Sequence, residues 1–111
     1  MVLVYWTYEL YQVCAAILED YDVDMIKNVA DAICNKYDNC FVLLANVNNN
    51  NVNIIAKASS DKVNCGAIVK ELSMKCKGNG GGSKTFAQGG GSDATDIVEY
   101  IKQSKEELEK A

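Results

Sequence analysis

The chain has 111 residues, of which 49% are hydrophobic and 23% charged, and its formal net charge is −4. This length suits a single domain, and the composition excludes intrinsic disorder as the default. The chain has no histidine, and its 11 basic residues are all lysines. Most familiar acid–base and zinc chemistry is therefore excluded, so we expect neither a catalytic residue nor a metal site. Any bound anion would be held by lysines and backbone N–H groups.

Residues 1–12 are rich in β-branched and aromatic residues, which favours a strand without excluding a helix. Trp6 and the tyrosines beside it are expected to pack on a core or on a neighbouring domain. The apolar run Val2–Tyr8 is much shorter than the roughly 20 residues that span a membrane. Because it also lacks the features of a secretory signal, we expect a cytoplasmic protein.

Five cysteines occur, without a C-x-x-C spacing, mostly where a small apolar residue fits a periodic pattern. We interpret them as reduced core thiols. The alternative, a nucleophilic or metal-binding thiol, is less favoured because no histidine is available to pair with it. The five positions are Cys14, Cys34, Cys40, Cys65 and Cys76.

A strand and a helix are predicted in the first third of the chain. The short apolar run Val13–Leu18 predicts a buried strand. Asp22 is a suitable N-cap for the helix that follows, which Asn39 closes. The apolar residues expected on its buried face are Ile26, Val29, Ala30, Ile33 and Tyr37.

A hairpin is predicted in the middle of the chain. Cys40–Val47 is apolar on both alternations, which indicates a central strand covered on both faces. The asparagines Asn48–Asn51 suit a tight turn. In the next strand, 52–59, one alternation is fully apolar and the other is mixed, so one face should be buried and the other partly buried.

Two further helices are predicted around the glycines. Asn64 can cap a helix that ends with Gly78 as the residue beyond its C-cap. Its inward residues are expected to be Cys65, Ile68, Val69, Leu72 and Cys76. Ser92 and Asp93 can cap a third helix, with Ala94, Ile97, Val98, Ile101 and Leu108 on its apolar side. The predicted order, β-α-β-β-α-loop-α, indicates a small α/β domain: a mixed sheet with packed helices.

The stretch 75–91 holds seven of the eight glycines and is predicted to be a loop. Glycine loses the most backbone entropy on folding, so two Gly triplets suggest a close approach of the backbone to a ligand. Residues 57–84 carry a net charge of +4, while the segments on either side are acidic. A local anion site explains this distribution, and lysines scattered over a solvated helix are the alternative.

The glycine stretch nearly matches two nucleotide-binding motifs, but it departs from both, and we reject both assignments. Residues 78–85 resemble G-x-x-x-x-G-K-[ST], but Ser83 replaces the last glycine. That loop must also follow a strand and open a helix, whereas a helical pattern precedes this one. The dinucleotide fingerprint G-x-G-x-x-G fails at Ser83 as well.

Residues 64–72 and 78–91 together resemble the DHH-associated C-terminal domain, in the form found at the end of alanyl-tRNA synthetases. The run Ala87-Gln88-Gly89-Gly90 is the most characteristic part, and the preceding β-α-β-β order also matches. The resemblance begins near Val13, so we expect residues 13–111 to form this domain and residues 1–12 to be an N-terminal extension. Asn79, where glycine is usual, and the lack of proline after Lys84 depart from the pattern.

The resemblance implies a non-catalytic module that contacts the tRNA backbone and helps couple aminoacylation to editing. The RNA-binding residues it suggests are Lys75, Lys77, Gly78, Gly80, Gly81, Gly82, Ser83, Lys84, Gln88, Gly89 and Gly90. No cofactor is expected in this chain, although a parent alanine–tRNA ligase would use ATP, magnesium and zinc. The expected partners are tRNA, other domains of the parent and, in some members, a second copy.

Two alternative functions and the roles of two loop residues stay open from the sequence. The chain could be a dimerisation module of the same synthetase, using its apolar N-terminus and last helix. It could instead be the accessory nucleic-acid-binding domain of a DHH phosphoesterase, which is disfavoured because that branch carries a histidine near the glycine motif. Within the loop, Phe86 could stack on a base or anchor the loop to the core, and Gln88 could bind RNA or brace the loop.

Overall fold

The computed structural model describes residues 2–8, 11–36, 40–59 and 64–110, with side chains described for residues 15–36, 40–59 and 64–104. Some predictions fall outside this part of the chain. They are the inward side chains of Tyr37 and Leu108, the helix end at Asn39, the environment of Cys14, and the packing of Trp6 and its neighbouring tyrosines. The side chains of the N-terminus and of the end of the last helix, on which the dimerisation alternative depends, lie outside it too.

The described residues form one mixed sheet of six strands together with three helices. In chain order the elements are β1 (Val2–Tyr8), β2 (Tyr11–Glu19), α1 (Val23–Lys36), β3 (Cys40–Asn48), β4 (Asn51–Ala58), α2 (Cys65–Lys75), β5 (Asn79–Gly82), β6 (Phe86–Gly91) and α3 (Ile97–Lys110). The strand order across the sheet is β1-β2-β3-β4-β6-β5. Only the β2–β3 pair is parallel, and every other neighbouring pair is antiparallel. The predicted α/β class is therefore confirmed.

Strand β3 lies at the centre because its side chains are apolar on both alternations. Phe41, Leu43 and Ala45 point to one face, where α2 and α3 pack, and Cys40, Val42 and Leu44 point to the other, where α1 packs. We call these the α2 face and the α1 face. All six side chains are buried, as predicted.

The hairpin between β3 and β4 is confirmed. Asn48 pairs with Asn51, and Asn49 takes a left-handed conformation with φ of 58°. Asparagine tolerates this conformation better than most residues do. One alternation of β4 is fully buried and the other is mixed, as the sequence pattern predicted.

The buried stripe on each of α1 and α3 is narrower than predicted. In α1 it follows Ile26, Ala30 and Ile33, while Val29 is 43% exposed. In α3 it includes Ile97 and Ile101, while Val98 is 43% exposed. Both valines were expected to face inward. They lie at the side of the buried stripe, where a helix face turns from sheet to solvent.

The predicted N-caps of α1 and α2 are confirmed. Oδ1 of Asp22 accepts from the backbone N of Met25 at 3.1 Å, and Oδ1 of Asn64 accepts from the backbone N of Ala67 at 3.1 Å. The start of α3 differs from the prediction, because Asp93 accepts from Thr95 and shapes the turn that precedes the helix. The helix itself begins at Ile97.

The C-terminus of α2 also differs from the prediction. Lys77, not Gly78, takes the left-handed conformation, with φ of 60°. The N–H groups of Lys77 and Gly78 donate to the carbonyls of Met74 and Ser73 at 3.1 and 2.8 Å. These two bonds form a Schellman motif, with Lys77 in the position that glycine usually takes. Among the described residues, no helix has the length and apolarity needed to cross a membrane.

Candidate functional site

The glycine stretch forms a β-hairpin, where a loop was predicted. Strand β6 pairs with β4 on one side and with β5 on the other, and β5 forms the outer edge of the sheet. Alternation of side chains is what normally reveals a strand in a sequence. Six of the ten residues in these two strands are glycines, which carry no side chain, so the alternation is lost.

The glycines allow the hairpin to lie in close contact with α2 and with itself. A Cβ on Gly78 would stand 1.8 Å from the carbonyl oxygen of Gly90, and one on Gly89 would stand 2.3 Å from Oγ of Ser73. Gly80 also faces Ser73, and Gly82 lies against Gly66 of α2. The close backbone approach inferred from the sequence is therefore made within the protein at these positions.

The turn of the hairpin occupies the N-terminus of α2. The carbonyls of Lys84 and Ser83 accept from the backbone N–H groups of Cys65 and Gly66 at 3.0 and 2.9 Å. The Ser83 hydroxyl in turn accepts from the backbone N–H of Phe86 at 3.1 Å. Ser83 thus stabilises the turn, and these N–H groups of α2 already have acceptors within the chain.

Ser73 marks the tightest part of the contact between hairpin and helix. Its side chain is fully buried between Gly80 and Gly89, and among the described residues its Oγ has no hydrogen-bond partner. An unpaired buried hydroxyl costs about 1–3 kcal/mol. The small side chain therefore fits the site, whereas its hydroxyl is unfavourable there.

We expect Ser73→Ala to raise the free energy of unfolding by about 1 kcal/mol, because it removes the unpaired hydroxyl and keeps the small volume. Urea denaturation measures the change. Ser104→Ala is the control, since that buried hydroxyl donates to the carbonyl of Tyr100 at 3.1 Å. A loss of stability in Ser73→Ala would contradict this account of the contact.

Lys75 makes three side-chain contacts, one within α2 and two with α3. Its Nζ lies 3.4 Å from Glu71 Oε1 and 3.2 Å from Gln103 Oε1, and 5.3 Å from the centre of the Tyr100 ring. These contacts place Lys75 on the side of α2 that packs beside α3. They separate it from the lysines that lie next to the hairpin.

Lys77 and Lys84 lie at the two ends of β5. Lys77 is two residues before the strand, and its side chain is 75% exposed although its Nζ lies 3.6 Å from Asp93 Oδ2. The pKa of Asp93 is lowered, chiefly by hydrogen bonds from Thr95 and further by the charge of Lys77. Lys84 is exposed in the hairpin turn, two residues after the strand. The two ammonium groups thus bracket the edge strand.

Lys70 belongs to the same region and was not singled out from the sequence. It is exposed and follows Gly66 by one helical turn, and Gly66 lies against Gly82 of β5. No local sequence pattern identifies it, because Lys70 joins this region through the contact between Gly66 and Gly82. We call strand β5 together with Lys70, Lys77 and Lys84 the basic edge.

The α1 face of the hairpin is open. Gln88 pairs across strands with Ile55 and with Gly81, so all three lie on the α1 face. Gln88 is exposed, and a Cβ on Gly81 would meet nothing within 4 Å. Gly90 lies on this face too, against the carbonyl of Val52. Gly81 and Gln88 are therefore two predicted site residues with open space on the α1 face, and Gly82, Ser83 and Lys84 are exposed as well.

Phe86 is half-buried and packs against the core cluster of the α1 face. This contact favours the interpretation in which Phe86 anchors the hairpin over the one in which it stacks on a base. Among the described residues, no cluster of three or more His, Cys, Asp or Glu side chains could hold a metal ion.

Comparison with known proteins places this chain in a family. The DHHA1 domain model matches residues 10–110. The chain is 35% identical over 100 residues to the alanine–tRNA ligase of Campylobacter jejuni, covering 90% of this chain and 12% of that protein. It is 33% identical over 93 residues to the alanine–tRNA ligase of Bacillus mycoides, covering 80% of this chain and 11% of that protein. The chain thus spans only about an eighth of the length of these curated relatives.

The fold is similar to a solved structure of the same kind. The crystal structure of the C-Ala domain from Aquifex aeolicus alanyl-tRNA synthetase superposes with a TM-score of 0.82 at 25% identity. The match covers 93% of this chain and 96% of that one. The sequence match over residues 10–110 and the shared fold agree, and we conclude that the chain belongs to the DHHA1 domain family.

Proposed function

We propose that this chain is the tRNA-binding C-terminal domain of an alanine–tRNA ligase, and that it contacts the tRNA backbone through the basic edge. The observation that carries the proposal is the position of Lys77 and Lys84 at the two ends of an edge strand, with Lys70 beside it. The names of the relatives support the choice of tRNA as the nucleic acid.

The chemistry of the basic edge suits a phosphodiester backbone. Lysine ammonium groups attract phosphates without reading sequence. Strand β5 pairs on one side only, so every second residue directs its backbone N–H and C=O groups outward. Because three of its four residues are glycines, side chains do not keep a ligand away from the backbone. The acidic charge of the flanking segments limits binding to this surface.

In the parent ligase, the proposed role is to hold tRNA while other domains act on it, which would help couple aminoacylation to editing. Those domains are then partners of this chain, and ATP, magnesium and zinc would serve them. We also propose that the parent ligase is located in the cytoplasm.

Titration of the chain against fluorescently labelled tRNA, followed by anisotropy, tests the proposal. We expect binding whose logarithmic association constant falls linearly with the logarithm of salt concentration, with a slope of about −2 for three phosphate contacts. Absence of binding at low salt, or binding that does not depend on salt, would contradict the proposed function.

A further inference from the structure

Two cysteine side chains meet where the end of α1 approaches the start of β3. Cys34 is in the last turn of α1 and Cys40 is the first residue of β3. The Cys40 thiol donates to Cys34 Sγ, and the two sulfur atoms are 2.7 Å apart. A disulfide bond is about 2.04 Å long, so the sulfurs need to move by less than about 1 Å to form one.

Both cysteines are also fixed by strand β4 and the residue that follows it. The Cys34 thiol donates to the carbonyl of Lys57 at 3.8 Å. The Cys40 N–H donates to Oγ of Ser59 at 2.9 Å, and the Ser59 N–H donates to the carbonyl of Cys40 at 3.0 Å. The Lys57 ammonium is paired with Asp31, which lies one turn before Cys34 on α1. The proximity of the sulfurs is therefore set by three packed elements and not by one mobile side chain.

The two cysteines differ in their access to solvent. Cys40 is buried, with 1% of its surface exposed, whereas Cys34 is half-buried. A small oxidant can therefore reach Cys34, and Cys40 lies behind it as a second thiol that water and larger reagents do not reach. An accessible thiol next to a buried thiol that can resolve its oxidised form is one feature of redox-sensitive cysteine pairs.

From this geometry we infer that Cys34 and Cys40 are a site of reversible oxidation, at which hydrogen peroxide converts the two thiols to an intrachain disulfide. The Cys34 sulfur loses its proton and attacks one peroxide oxygen, so that an S–O bond forms, the O–O bond breaks and water leaves. The Cys40 sulfur then displaces the oxygen from Cys34, so that an S–S bond forms and a second water leaves. The two thiols lose two electrons, which reduce one peroxide to two waters.

The surroundings of Cys34 determine how fast this occurs. Burial, and then the hydrogen bond and charge of Cys40, raise the pKa of Cys34 to about 12, although Lys57 opposes the shift. Cys65 contributes in the same direction as Cys40, and Asp31 holds the Lys57 ammonium in place. Because the thiolate is the reacting species, oxidation is slow at neutral pH and faster in alkaline buffer.

The test uses the reduced 111-residue chain treated with hydrogen peroxide under native conditions, then alkylated in denaturant and digested with trypsin. Cleavage after Lys36 separates the peptide 28–36, which carries Cys34, from the peptide 37–57, which carries Cys40. Neither peptide contains another cysteine. We expect these two peptides to be joined, with a mass lower than their sum by two hydrogen atoms, and to separate after treatment with dithiothreitol.

Two variants control the assignment. Cys40→Ser removes the second thiol, so we expect loss of the linked peptides and accumulation of oxygenated Cys34. Cys76→Ser is the matched control, since Cys76 is buried in the core cluster of the α2 face, and it should form the linked peptides as the original chain does. The inference is overturned if both peptides of the original chain remain fully alkylated after peroxide, or if either cysteine links instead to Cys14, Cys65 or Cys76. The peptide analysis of the original chain tests the inference even if Cys40→Ser does not fold.

Discussion

Replacing Gly78 with alanine is expected to lower the free energy of unfolding by about 3 kcal/mol, at the upper end of the usual cost of overpacking. The added Cβ would lie 1.8 Å from the carbonyl oxygen of Gly90 and 2.4 Å from Cα of Gly91. Both are backbone atoms in β6, which is hydrogen-bonded between β4 and β5. The collision can be relieved only by moving the hairpin away from the end of α2.

Gly81→Ala is the matched control for Gly78→Ala. It adds the same methyl group three residues later, where a Cβ meets nothing within 4 Å. We expect its stability to lie within about 0.5 kcal/mol of the original chain, or slightly above it, because alanine restricts the unfolded chain. Urea denaturation followed by circular dichroism measures both variants. Equal losses in the two would show that the hairpin does not pack as described.

The second large effect is expected on RNA binding, in the variant with Lys70, Lys77 and Lys84 all changed to alanine. Each lysine that neutralises a phosphate releases counterions, and the loss of three such contacts should weaken binding roughly 100-fold at about 0.1 M salt. None of the three side chains is buried. The stability of this variant should therefore stay close to that of the original chain.

Its control removes the same charge from other surfaces. Lys27 and Lys36 lie on α1, and Lys102 lies on α3. Changing these three to alanine alters the net charge equally and leaves the basic edge intact. We expect the control to lose less than about threefold in affinity for tRNA, since distant charges are screened at this salt concentration.

Much of the fold follows from local patterns in the sequence. The apolar spacing in α1 and α2, the caps at Asp22 and Asn64, and the doubly apolar strand β3 were predicted because each depends on neighbours in sequence. Strands β5 and β6 were not predicted, because a run of glycines has no alternation to read. The pairing of β6 with β4 also depends on residues 29 to 39 positions away.

Only part of the candidate site could be predicted from the sequence in this way. The sequence identified Lys77, Lys84 and the glycines as one region, and the structure brings these residues together. It could not indicate that Lys75 contacts Gln103 and Tyr100, since that depends on how α3 packs beside α2. Lys70 joins the region only through the contact between Gly66 and Gly82, which no local pattern predicts.

The salt dependence of tRNA binding, measured side by side for the original chain and the two triple-lysine variants, tests most directly whether RNA lies along the basic edge. If it does, the slope of the logarithmic association constant against the logarithm of salt concentration should become shallower by about 2 when Lys70, Lys77 and Lys84 are removed. The slope should be unchanged when Lys27, Lys36 and Lys102 are removed. Equal slopes in the two variants, or a larger change in the second, would contradict binding at the basic edge.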